Sequence, residues 1–511
     1  MTDGRDIPRT PTGISGFLQV SLGGLPAGRA TLVTGTTGSG KTLFALEFLA
    51  RGIANFDEPG VFVTFEETAD DIRRNAASFG FDIAVWEAEG KWAFVDVSST
   101  TIGEPIIIGS YDFSALIARV GDAVRRIGAR RVSIDSLGAI FTRFPDLAVV
   151  RREVLRLVGS LEQLQVTAIV TAERATEHDG VSRYGVEEFA VDNVIVLRNN
   201  LQAERRRRTI EIVKFRGAAH RTGEWLFTID PRDGMVVIPL AFLVPRDRAA
   251  ETKVSTGNPE LDEMCGGGVY RDGVILLTGP TGMGKTLSAL RFVAAGTAAG
   301  ERCLLYSFDE TREQLSRNAG TWGLDLASME RSGQLRVICE YPEVASLEDH
   351  FLRLHRALEE FHPHRLVIDT LSALERIVTP RGLLDFVLAL VGLLRQREVT
   401  TLLTAAPVGR TTSTITPAIA TEIASLVDTS IVLRYVEAPG RIMRVITVIQ
   451  TRGSAHDDSV REVTVDHDGL HIGPPARALT QVLTGSPFNP PGFAYGVGPE
   501  PEDGLGERHD G

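Results

Sequence analysis

Cysteine is scarce in this chain. Cys265, Cys303 and Cys339 are its three cysteines; they lie far apart and make no C-x-x-C pair. A disulfide framework and a cysteine-rich zinc site are therefore excluded, and the reducing cytosol is the expected compartment. An excess of positive charge is also missing: the formal charge is −12, whereas a chain whose main partner is nucleic acid usually carries a basic surface. Long apolar runs are absent as well. Met235–Val244 and Phe386–Leu394 are the longest, about half a membrane span, and the first contains Pro239. The opening MTDGRDIPRTPTG is polar and has no apolar h-region, so no secretory signal is expected. What is present is an ordinary globular balance, 43% hydrophobic and 23% charged, over 511 residues. Disorder throughout, collagen and coiled coil are ruled out. At roughly 100–200 residues per domain, two to four domains are expected in a soluble cytoplasmic protein with neither membrane nor nucleic acid as partner.

The chain repeats itself. Thr12-Gly13 and Thr256-Gly257 each precede a glycine cluster, an apolar run and a G-x-x-x-x-G-K-T motif, and both the Thr12/Thr256 and the Lys41/Lys285 pairs are offset by 244 residues. Further pairs follow in the same order: Val61–Thr68 with Leu304–Thr311, Arg130–Leu137 with His364–Leu371, and Val213–Gly217 with Ile449–Gly453. Such order defines two tandem domains rather than a short-period solenoid. The expected boundaries are 1–246 for the first, 247–485 for the second, and 486–511 for a flexible Pro/Gly-rich tail. Short apolar runs (Arg29–Thr34, Val61–Phe65, Val132–Ile134, Thr167–Thr171, Asn193–Leu197) alternate with helical stretches such as Asp112–Arg126 and Val149–Leu164. This pattern predicts α/β domains, each a mostly parallel sheet flanked by helices.

Gly35-Thr36-Thr37-Gly38-Ser39-Gly40-Lys41-Thr42 and Gly279-Pro280-Thr281-Gly282-Met283-Gly284-Lys285-Thr286 are phosphate-binding loops, each between an apolar run and a helical pattern. The glycines let successive N–H groups turn inward, the lysine neutralises terminal phosphates, and Thr42 and Thr286 offer hydroxyls to Mg²⁺. Leu43 and Leu287 close the two nucleotide-binding sets. Asp135 and Asp369 end buried apolar runs, where a carboxylate can hold Mg²⁺ through water. Glu66-Glu67 ends the apolar run that follows the first loop's helix, placed to orient and deprotonate a water; the second repeat has Asp309-Glu310, with Asp309 one methylene shorter. ATP and Mg²⁺ are the expected cofactors, with Asp309 a further metal candidate.

GTTGSGKTLFALEFL, EPGVFVTFEET, RYGVEEF, ERRRRTIEI, LDEMCGGG and SIVLRYVE closely resemble the circadian clock KaiC family, with likeness running from about Thr10 to about Pro487. The resemblance implies two RecA-like P-loop domains, an ATP-dependent double-ring homohexamer with nucleotides between subunits, a slow ATPase in the first ring and a Ser/Thr autokinase and autophosphatase in the second. It implies Glu66 as catalytic base with Glu67 beside it, and Ser78 as a nucleotide contact. Lys214, Phe215, Arg216 and His220 become a neighbour's contribution to ATP. In the second domain it implies Trp322 beside the nucleotide, with Arg444, Arg452, Gly453, Ser454 and His456 from the neighbour.

Departures fall on the second ring. The position before Ser425 is Ala424, so Ser425 is the remaining acceptor of what the family has as an adjacent Ser-Thr pair; Asp309 stands for Glu, Gln450 for Lys, and Asp458 for a basic residue. A weakened, single-site autokinase is expected. The tail does not resemble the family's activator-docking tail, which favours a KaiB-like partner on the first ring over KaiA. Two other readings stand beside this one: a nucleotide-gated signalling scaffold with little catalysis, and a RecA/RadA-type DNA-dependent ATPase. The run Arg205–Arg208 and the pair His362/His364 are read as a subunit-interface or solvated strand and as loop histidines, not as nucleic-acid or metal sites.

Overall fold

The apolar runs of the first repeat become strands β1 (Ala30–Gly35), β2 (Gly60–Thr64), β3 (Trp92–Asp96), β4 (Arg131–Asp135), β5 (Thr167–Glu173), β6 (Asn193–Gln202), β7 (Arg205–Phe215), β8 (Glu224–Asp230) and β9 (Gly234–Ile238). The helices that matter for the site are α1 (Lys41–Phe56), α2 (Ala69–Ala77), α3 (Ser114–Ile127) and α4 (Leu147–Gln163). This computed structural model describes residues 7–98, 113–138, 147–177, 190–202, 205–238, 250–406, 422–438 and 441–476.

The sheet order is β3-β2-β4-β5-β1-β6-β7-β8-β9. The first six of these pair in parallel, and β7, β8 and β9 are added antiparallel. All six residues of β1 are buried, as a central strand covered on both faces must be. One face packs Phe44, Phe48, Leu49 and Ile53 of α1 against Val33, Phe62, Ile169 and Ile195. The other packs Val120 and Val124 of α3 and Leu157 and Leu161 of α4 against Leu32, Val63, Ile134 and Val170. Alternate residues of one strand thus feed opposite cores.

The second repeat reproduces this plan. Its strands are β10 (Val274–Thr278), β11 (Cys303–Ser307), β12 (Leu335–Cys339), β13 (Arg365–Asp369), β14 (Thr400–Ala405), β15 (Thr429–Ala438), β16 (Arg441–Thr451), β17 (Arg461–Val465) and β18 (Leu470–Pro475). Their order, β12-β11-β13-β14-β10-β15-β16-β17-β18, repeats the first sheet strand for strand. Helices α5 (Lys285–Ala298), α6 (Arg312–Thr321), α7 (Leu347–Phe361) and α8 (Pro380–Gln396) accompany it. Leu287, Leu290 and Val293 of α5 pack on Ile275, Leu277, Leu305 and Val367. The chain divides into two compact units, Met1–Asp247 with Tyr341–Glu360 and Leu374–Gln396, and Arg248–Glu340 with Phe361–Ala373 and Arg397–Gly511.

Three antiparallel strands at one edge are the main departure from the sequence expectation. Glu224–Asp230 and Gly234–Ile238 pair as a hairpin, with Asp230 opposite Gly234. The Arg205–Arg208 run enters β7, where the side chains alternate. Arg206 donates to the Asn199 carbonyl at 2.9 Å, Arg207 lies 3.5 Å from Glu348, and the Arg208 Nε is buried. The tail, the 477–483 stretch and 239–249 lie outside the described residues. No helix among the described residues is long and apolar enough to cross a membrane.

Candidate functional site: two phosphate loops

Each phosphate loop is built by glycines in the left-handed region. Gly38 and Gly40 have φ of 75° and 98°, Gly282 and Gly284 82° and 93°, conformations that L side chains rarely adopt. At Gly35 the restriction is space: an added Cβ would lie 2.4 Å from both the Leu197 carbonyl and the Ser39 hydroxyl. Gly40 and Gly284 start α1 and α5 without a side-chain cap, leaving the helix N–H groups for an anion. The Ser39 hydroxyl oxygen is buried without a partner.

Lys41 donates to the Thr36 carbonyl at 2.9 Å, and Lys285 to the Gly279 and Pro280 carbonyls at 2.7 and 3.0 Å. Burial pushes both amines below the usual lysine range, while Asp135 and Asp369 among other carboxylates act in the opposite direction. Thr42 donates to Asp135 at 2.8 Å and Thr286 to Asp369 at the same distance. The second carboxylate oxygens accept from Thr171 and Thr404. Burial raises both aspartates, offset by these hydroxyls and the lysines. A hydroxyl facing a buried carboxylate beneath a ring of N–H groups is an oxygen donor set suited to Mg²⁺, so the residues fit Mg·ATP. Asp309 lies close enough to act on both Lys285 and Asp369.

The two acids after β2 separate. Glu66 accepts from Ser136 at 2.8 Å, beside Asp135, while Glu67 accepts from Asn75 of α2 at 2.9 Å. Burial and the neighbouring Asp135 raise Glu67. In the second repeat Glu310 accepts from Asn318 of α6 at 2.9 Å and is raised by burial and Asp369. Thr370, the counterpart of Ser136, instead donates to the Thr404 carbonyl at 3.0 Å. Thr68 and Thr311 cap α2 and α6 and hold these acidic turns in place.

The remaining sequence candidates fall in four places. Ser78 ends α2, exposed, donating to the Asn75 carbonyl; Trp322 ends α6 against the second core. Lys214, Phe215, Arg216 and His220 lie at and just beyond the end of β7, Phe215 opposite Asn193 and Asn193 beside Thr31. That is the end of the sheet away from Gly35. In the second sheet, Arg452, Gly453, Ser454 and His456 follow β16, whose Thr451 pairs with Thr429. Ser425 precedes β15 at the same end; its hydroxyl donates to the Glu422 carbonyl at 2.6 Å and its carbonyl accepts from Arg452. At ~3.3 Å per residue, each set is roughly 15 Å from its own chain's loop. Arg444 stands apart from this group. It pairs with Tyr435, whose hydroxyl donates to the Thr281 carbonyl of the loop at 3.2 Å.

Sequence reasoning missed Thr171, Thr404, Ser136, Asn75 and Asn318. Each has a polar counterpart in the other repeat, so aligning the repeats residue by residue could have found them. His364 accepts from the Arg302 backbone at 3.2 Å, as a loop histidine does.

Fold and site together define a tandem P-loop ATPase with two Walker-type centres. The family profile described as "ATPase: KaiC" matches residues 10–241 and 254–477, and the chain belongs to the KaiC ATPase family. It is 49% identical to the circadian clock protein KaiC3 of a Synechocystis species over 95% of each chain. To the circadian clock oscillator proteins KaiC of Parathermosynechococcus lividus and Synechococcus elongatus it is 46% identical, over 94% of this chain and 88% and 92% of theirs.

Proposed function

We propose that this protein is a ring-forming, Mg²⁺-dependent ATPase whose second domain also phosphorylates itself on Ser425, and that it works in clock-type or related signalling. The observation that carries the ATPase reading is the pairing of Thr42 with Asp135 beneath the loop, with Glu66 held beside them by Ser136. Mg²⁺ bound there would neutralise charge on the β- and γ-phosphates. Lys41 and the loop N–H groups bind and orient the triphosphate, and Glu66, next to Glu67, orients and takes a proton from the attacking water. A homohexamer is supported by the placement of Lys214 and Arg216 at the end of the sheet away from their own loop, a placement that suits another copy's nucleotide rather than their own. Ser425 has the same placement, so phosphate would reach it from a neighbouring chain.

Asp309 in place of glutamate supports slower chemistry in the second ring. A KaiB-like protein is the favoured partner, on the first ring, in the cytoplasm. One incubation with Mg·ATP tests the proposal. The expected result is a hexamer by size exclusion, steady phosphate release, and phosphopeptides containing Ser425. A chain that neither assembles nor hydrolyses would refute it. Turnover unchanged by single-stranded DNA is expected, and DNA stimulation would favour the recombinase reading.

A further inference from the structure

One acidic residue touches the first phosphate loop without a part in the chemistry above. Glu177 follows β5. Its Oε1 accepts from the Thr36 hydroxyl of the loop and from the Asn199 backbone N–H of β6, the latter at 3.2 Å. The Asn199 amide in turn donates to the Gly38 carbonyl at 3.4 Å. Loop, strand and carboxylate are thus tied together. The other oxygen, Oε2, is buried without a hydrogen-bond partner, so half of the carboxylate's accepting capacity is unmet. Glu177 is also close enough to Lys41 to act on its charge, as are Glu173, Asp135 and Glu66. Around Lys285, among the described residues, Asp369 and Asp309 do so.

The duplication supplies a comparison. The second-loop residue equivalent to Thr36 is Pro280, which has no hydroxyl. This contact therefore cannot form at the second loop, and it is a property of the first site.

We propose that Glu177 is a positioning residue that anchors the first phosphate loop while its charge opposes the bound polyphosphate, loosening the site's hold on nucleotide. The two roles sit on one carboxylate but separate chemically. An amide in its place still accepts from Thr36 and Asn199 through its oxygen and carries no charge. This proposal rests on the first loop being the nucleotide site proposed above.

The test measures binding of fluorescent ADP with Mg²⁺ to the full-length chain, with the second loop disabled by Lys285→Ala in every variant. Glu177→Gln is expected to tighten ADP by on the order of three- to tenfold and to slow its release by a similar factor. Glu177→Ala, which also removes the anchor, is expected to bind less tightly than Glu177→Gln. Unchanged or weaker binding in Glu177→Gln would overturn the proposal. If the Lys285→Ala parent binds no ADP at all, the nucleotide-site reading fails instead.

Discussion

Thr42 and Asp135 meet at 2.8 Å across 93 residues of chain, and Thr286 and Asp369 meet at the same distance across 83. Two copies of one contact, with a strand-borne threonine bonded to each aspartate's other oxygen, form the oxygen donor set that would hold the proposed Mg²⁺ in each domain. Asp135→Asn is expected to lower Mg-dependent phosphate release by about 100-fold or more, with the fold retained by circular dichroism because the amide still accepts from one of Thr42 and Thr171 through its oxygen and donates to the hydroxyl oxygen of the other. Release near the parental rate would remove Asp135 from the metal site.

Ser136 donates to Glu66, whereas its counterpart Thr370 donates to a backbone carbonyl. The first acid is therefore oriented and the second is not held in that way. Glu66→Gln should reduce phosphate release by 10²–10⁴-fold, the usual scale for general-base removal, with ADP affinity little changed. Ser136→Ala should cost about tenfold or less. A larger effect from Ser136→Ala than from Glu66→Gln would assign the base elsewhere.

Lys41 and Arg216 belong to opposite ends of one sheet. If a ring joins them between chains, Lys41→Ala and Arg216→Ala proteins, each inactive alone, should recover activity when mixed and reassembled. With random mixing, some interfaces carry neither change, and phosphate release should return to roughly a quarter of the parental rate per chain if interfaces act independently. No recovery, with mixed rings confirmed by native mass spectrometry, would reject shared sites.

Cys265 and Cys303 are pushed by burial from 9.0 to about 12, and the half-buried Cys339 to about 11. In the folded protein the thiols keep protons that the unfolded chain gives up. Their contribution to stability is therefore complete below about pH 9 and is lost as pH rises from 9 toward 12. At pH 8 the native protein should resist iodoacetamide, with Cys339 reacting first, and urea should expose all three; intact mass reads both. Rapid native labelling of Cys265 would contradict its burial.

How much of this could be read in advance follows from the range of each signal. The phosphate loops announce themselves because glycine spacing, lysine and threonine are local. Asp135 was legible because its apolar run is. The β8–β9 hairpin was not: Met235–Ile238 lies inside an apolar run that continues to Val244, and nothing local ties it across the turn from Asp230 to Gly234 to a partner strand. Glu177 was invisible for another reason: its bond to Thr36 spans 141 residues, and nothing near either residue names the other.

The placement of Lys214 and Arg216 has a kinetic corollary. If the proposed ring completes each site from another chain, the rate per chain depends on protein concentration. Dilution below the assembly range should lower specific activity faster than it lowers protein, and excess nucleotide should restore it by holding subunits together. The abundance of the protein then becomes an input to its own rate.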